Sequence, residues 1–136
     1  MAEQPVPTIA ILNSSVDVVQ MLRTALDAAG FTTVTAHVPD IKQGSEDLLA
    51  FLERYEPQVI IYDVSLPYAE NWTFLRLVQD TEAARGRHFI VTTPNKRALE
   101  EAVGDTGAIE LLGKPYDLDQ LLAAVRRGLR GRGATA

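Results

Sequence analysis

Apolar residues fall along this chain in two patterns. The first is a set of short, unbroken runs: Thr8-Ile-Ala-Ile-Leu12, Gln58-Val-Ile-Ile-Tyr62 and His88-Phe-Ile-Val-Thr92. None of them alternates with polar residues, so each predicts a strand covered on both faces. Phe31-Thr-Thr-Val-Thr-Ala36 is β-branched but more polar, and predicts a strand nearer an edge. Ile109 to Leu112 predicts a short fifth strand. The second pattern is steps of three and four. Val18, Leu22, Ala25, Leu26 and Ala29 line one face of a helix from Val16 to Ala29, which Gly30 ends. Leu48, Leu49, Leu52 and Tyr55 do the same between Ser45 and Tyr55, ahead of Pro57. Leu75 and Val78 mark a helix from Asn71 to Asp80, and Ala98, Leu99, Ala102 and Val103 one that Asn95 caps. Leu118, Leu121, Leu122, Val125 and Leu129 mark the last helix. Val38 to Gly44, with Pro39 inside it, predicts a loop, as does Asp63 to Glu70 around Pro67.

Strand and helix thus alternate five times, which predicts an α/β fold with a parallel sheet and right-handed crossovers. The expected organisation is one domain over residues 8–130, with 1–7 and 131–136 as flexible termini. Parallel sheets of this kind bind ligands at the carboxyl ends of their strands. The residues standing there are Asn13 and Ser14, His37, Asp63, Thr92 and Lys114. Asp63 is a nucleophile or metal ligand on one reading and a turn residue on the other. Thr92 offers a hydroxyl or merely finishes a strand. Lys114 is a movable cation or a solvated loop lysine.

Composition narrows the functions. With 136 residues, 46% hydrophobic and 23% charged, the chain has the balance of a globular protein with a real core. Its formal charge of −5 lacks the basic footprint of a dedicated nucleic-acid binder. With no cysteine, disulfides, thiolate nucleophiles and Cys-based zinc sites are excluded together. No apolar run has the length of a membrane span, and Met1 to Pro7 lacks the regions of a signal peptide, so a cytoplasmic location is expected. His37 and His88 have no ligand company in the sequence. Tyr68, Trp72 and Phe74 surround the loop after Asp63, either as core or as a partner-binding patch. Arg126, Arg127, Arg130 and Arg132 complement the dipole of the last helix or meet an acidic partner.

Three segments carry a resemblance: Tyr62-Asp63-Val64-Ser65-Leu66-Pro67, Val91-Thr92-Thr93 and Gly113-Lys114-Pro115-Tyr116. In order and spacing the chain, from about Thr8 to Leu129, resembles the receiver domain of bacterial two-component response regulators. The resemblance implies a flavodoxin-like (βα)5 fold in three layers with strand order 2-1-3-4-5. It implies that Asp63 is the phospho-acceptor and that Thr92 and Lys114 contact the phosphoryl group. It implies Mg²⁺ as cofactor, with Asp63 and the Ser65 backbone carbonyl as ligands. It also implies a histidine kinase or phosphotransfer protein as partner, and an output face over about Asn95 to Leu129 that also permits a homodimer.

The sequence departs from that family at the acidic pair and at two switching positions. Receivers normally carry two acidic residues after the first strand, where this chain has Asn13 and Ser14. Mg²⁺ prefers carboxylates, so its affinity is expected to be weakened and phosphorylation slowed. Ser14 also opens a Ser-x-x-Asp capping box with Asp17, and Asn13 has a bland role in satisfying loop backbone groups. At the switching positions, Asn71 stands where many receivers have a small residue, and Leu111 replaces the usual aromatic. The expected function is a stand-alone receiver in a phosphorelay, not an enzyme, with no DNA-binding domain and an output by protein–protein contact to an unknown partner. The alternatives are a pseudo-receiver binding module and, third, a flavodoxin-like cofactor carrier, which Ser14-Ser15 disfavours for want of a glycine-rich phosphate loop.

Overall fold

The computed structural model describes residues 6–44, 47–104, 110–113 and 117–134. Five strands form one parallel sheet: β1 (Thr8–Asn13), β2 (Thr32–His37), β3 (Val59–Asp63), β4 (His88–Thr93) and β5 (Glu110–Gly113), in the order β2-β1-β3-β4-β5. The expected α/β architecture and strand order are the ones observed. All five residues of β3 are buried, whereas all four of β5 are only half-buried, so the unbroken apolar run does mark a central strand.

The helices are α1 (Val16–Ala28), α2 (Val38–Gln43), α3 (Leu48–Tyr55), α4 (Tyr68–Gln79), α5 (Lys96–Val103) and α6 (Leu118–Ala134), with a 3₁₀ turn at Glu82–Ala84. Strand alternation feeds two cores. Ile9, Ile11, Val59, Ile61 and Ile90 pack with Leu22 and Leu26 of α1 and Leu121, Ala124 and Val125 of α6. Ala10, Leu12, Ile60, Tyr62 and Val91 face the other way, onto Leu52, Trp72, Leu75 and Leu99. Trp72 is therefore core, and Phe74 and Tyr68 pack against the same cluster.

Three expected boundaries are corrected. Val38 to Gly44 is not a loop but the helix α2. Pro39 sits in its first turn, where a missing N–H costs nothing, and Gly44 ends it at φ 83°. The cap of α1 is Ser15 rather than Ser14, its side chain accepting from Val18 N at 3.3 Å. α4 begins at Tyr68, three residues before Asn71, because its first turn is mostly exposed and carries no apolar period. Asn95 caps α5 as expected, accepting from Ala98 N at 3.0 Å. The last helix continues beyond Leu129 to Ala134. No helix among the described residues is long and apolar enough to cross a membrane.

One half-buried cation knits the far end of the sheet. Arg87 donates to the carbonyls of Ala83 (2.7 Å), Pro57 (3.0 Å) and Leu52 (3.2 Å). It satisfies carbonyls where α3 ends and where β3 is about to begin.

Candidate functional site

The site forms where β1, β3 and β4 end together. Thr92 and Asp63 are register partners on adjacent strands. Both are buried, and Thr92 Oγ1 donates to Asp63 Oδ1 at 2.9 Å. The pairing of β1 with β3 runs to Leu12 and Tyr62, so Asn13 and Asp63 stand next to each other one step further on. The loop after Asp63 is held from two sides. Val64 N donates to Thr92 O at 2.8 Å, and the buried Asn71 sends its Nδ2 to Ser65 O at 2.8 Å. A pocket of about 220 Å³ opens beside this rim, lined among others by Ser14, Pro39, Gln43, Tyr62, Asp63 and Ser65.

Other expected site residues are placed as follows. Ser14 is exposed, and its carbonyl accepts from His37 Nε2 at 3.1 Å. His37 also lies 3.6 Å from the Asp40 carboxylate. Leu111 is half-buried on β5 and packs against the core that holds Tyr62 and Val91. Lys114, with Pro115 and Tyr116, lies outside the described residues. Asn71, which the sequence marks only as a departure from a small residue, also belongs to this rim through its bond to Ser65. A polar side chain on the inward face of a helix is the signal, but its partner is visible only in the fold.

Tyr62 adds an electrostatic feature. Its hydroxyl is buried without a partner, and burial, reinforced by the negative charge of Asp63, pushes the phenol from 10.0 up to about 12. The folded state thus holds this proton more tightly than the unfolded chain. Stability from this group is complete below pH 10 and is lost as pH rises toward about 12. In an ultraviolet titration of phenolate we expect one of the four tyrosines to ionise late, and Tyr62→Phe to remove that late phase. A titration unchanged by Tyr62→Phe would contradict this.

Among the described residues the donors form a poor set for a resident Mg²⁺ ion. Mg²⁺ requires oxygen ligands, commonly carboxylates. Asp63 supplies one carboxylate. The Asn13 oxygen, which accepts from Ser15 N at 2.9 Å, and the Ser65 carbonyl, which accepts from Asn71, are neutral oxygens without the charge of a carboxylate. Among the described residues no three His, Asp or Glu side chains gather as a metal-binding group.

A sequence profile of the response regulator receiver domain matches residues 9–126. The transcriptional regulatory protein GltR of Pseudomonas aeruginosa is 26% identical over 124 residues, covering 90% of this chain and 49% of the relative. A probable chemotaxis protein CheY of Rhizobium etli is 26% identical over 106 residues, covering 77% of this chain and 78% of the relative. The chain spans about half the length of several of the transcriptional regulators it matches. Among solved structures, chemotaxis protein CheY4 of Vibrio cholerae superposes with a TM-score of 0.67 at 25% identity, over 90% of this chain and 98% of that one. A sensor protein from Polaromonas shares the fold, at a TM-score of 0.75 and 22% identity over 94% of this chain and 99% of that one. A parallel sheet in the order 2-1-3-4-5, an aspartate and a threonine bonded across its carboxyl edge, and a profile match over nearly the whole chain lead to one conclusion: the protein belongs to the response regulator receiver domain family.

Proposed function

We propose that this receiver takes part in a phosphorelay, with Asp63 as the residue that accepts the phosphoryl group and with output by protein–protein contact. The observation that carries this reading is the Thr92 hydroxyl, 2.9 Å from the Asp63 carboxylate in a buried rim. A carboxylate oxygen of Asp63 bonds to phosphorus while the bond from phosphorus to the donor's leaving group breaks. The leaving group keeps that electron pair. Thr92 then has an acceptor oxygen to follow, either on the carboxyl or on the phosphoryl group. A shift of Thr92 is passed along β4 and β5 toward Leu111, which packs on the same core as Val91. The partners of this reading are a histidine kinase or phosphotransfer protein on the input side and a protein recognised through the surface over about Asn95 to Leu129 on the output side.

Asn13 and Ser14 favour a second reading, a binding module that works without phosphorylation, because neither supplies the fixed negative charge of the usual acid pair. Intact-mass spectrometry after incubation with acetyl phosphate separates the two. One phosphoryl group per chain is expected in the wild type and none in Asp63→Ala. Equal labelling of Asp63→Ala would place the acceptor elsewhere, and an unlabelled wild type would favour the binding module.

A further inference from the structure

The Asn13 amide at the rim beside Asp63 is a buried donor with no partner among the described residues. Asn13 is 2% exposed, and its carboxamide has a defined orientation: Oδ1 accepts from Ser15 N at 2.9 Å, a bond that an amide nitrogen cannot replace. Nδ2, on the other side of that carboxamide, is buried with no hydrogen-bond partner among the described residues. Buried N–H groups without partners are rare and costly. The strand pattern says where this one stands. Ile9 and Ile11 of β1 share a core with Val59 and Ile61 of β3 and Ile90 of β4. Asn13, Asp63 and Thr92 each lie two residues beyond Ile11, Ile61 and Ile90, so all three continue those rows on the same side of the sheet.

We propose that the Asn13 carboxamide stands in for the metal of this site: its Nδ2 N–H donates to an oxygen of the phosphoryl group on Asp63, and the site takes that oxyanion without a divalent cation. This deepens the reading of Asp63 as acceptor and rests on it. An inward N–H repels a cation and attracts an oxyanion, which is the reverse of what a carboxylate at the same position does. The transfer balances without a metal. The Asp63 oxygen gains its bond to phosphorus, the donor's bond to phosphorus breaks (phosphorus–nitrogen in a phosphohistidine, phosphorus–oxygen in acetyl phosphate), and the leaving group departs with the electron pair. Asn13 and Thr92 are then two neutral donors on one oxyanion. They stabilise less charge than a dication, so transfer is slow, but its rate and yield no longer follow Mg²⁺.

The test uses beryllofluoride, BeF3⁻, which bonds to a carboxylate oxygen and copies a phosphoryl group. Its binding to the full chain is read by fluorine NMR in Mg²⁺-free buffer and again with Mg²⁺. The wild type is expected to bind with a dissociation constant that differs less than about twofold between the two buffers. Asn13→Asp, which is nearly isosteric, is expected to bind at least about tenfold more tightly with Mg²⁺ than without. Asp63→Ala is expected not to bind. Wild-type binding that tightens tenfold or more with Mg²⁺ overturns the inference and leaves Asp63 as acceptor. Binding by Asn13→Asp alone, and only with Mg²⁺, does the same. Binding that survives Asp63→Ala, or is absent from every variant in both buffers, overturns the acceptor reading and the inference with it. The wild-type comparison involves no substitution, so it stands even if a variant fails to fold.

Discussion

Leu52→Ala is expected to lower the unfolding free energy by about 2–5 kcal/mol, the range for a buried leucine whose surroundings collapse only in part. α3 has eight residues, too few to hold together alone in water. What keeps it helical is the burial of Leu48, Phe51 and Leu52, and Leu52 has no exposed surface. Its backbone is pinned as well, with its carbonyl accepting from Glu56 N at 2.9 Å and from Arg87 at 3.2 Å. The fixed backbone stops the helix from sliding inward to fill the space that the lost methyl groups leave. Urea unfolding checks this directly: the midpoint should fall with the slope unchanged. A loss below about 1 kcal/mol would show that this core collapses more freely than its pinning implies.

Gly128→Ala is expected to destabilise by about 1–3 kcal/mol although alanine is the better helix former by about 1 kcal/mol. The reason is a close approach between α6 and β4. A Cβ on Gly128 would lie 2.4 Å from His88 Cδ2 and 2.7 Å from its Cγ. The near atoms include the root of a rigid ring, so the ring must move as a plate. That ring is half-buried, with Nε2 buried and 3.6 Å from the Glu110 carboxylate, which also pairs with Arg127. The double variant Gly128→Ala/His88→Ala should recover part of the loss, giving a coupling energy of about 1 kcal/mol or more. Additive losses would show that the steric conflict lies elsewhere.

How much of this was legible in the sequence depends on the range of the interaction involved. The three central strands announced themselves because each run is apolar on both faces, and β2 by its β-branched residues. The helix faces did so because Leu22, Leu26, Leu52, Leu75 and Leu99 keep helical steps to their neighbours and all are buried. α2 did not, because Pro39 carries the same signal whether it breaks a helix or starts one. The choice between Ser14 and Ser15 as cap turns on a single step of backbone, which composition does not resolve. At the site, Asp63 and Thr92 were legible as strand ends, and parallel register made them neighbours. The outward role of the Asn13 oxygen was legible as loop chemistry, and the structure places it on Ser15 N. The burial of its nitrogen was not, since it follows from the fold. Nor was the hold of Asn71 on Ser65, which joins residues on separate elements.

The unequal burial of the strands has a consequence for where the molecule yields. β3 is sealed on both faces and flanked by β1 and β4, whereas β5 is half-exposed and paired on one side only. Opening β3 means exposing both cores at once, which is global unfolding; loosening β5 disturbs little buried surface. Asp63 is thus mounted on the stiffest part of the protein, and Leu111 on one of the softest. Under the proposed phosphorelay, a disturbance at the carboxylate is therefore expected to show as movement at the margin of the sheet rather than where it arises.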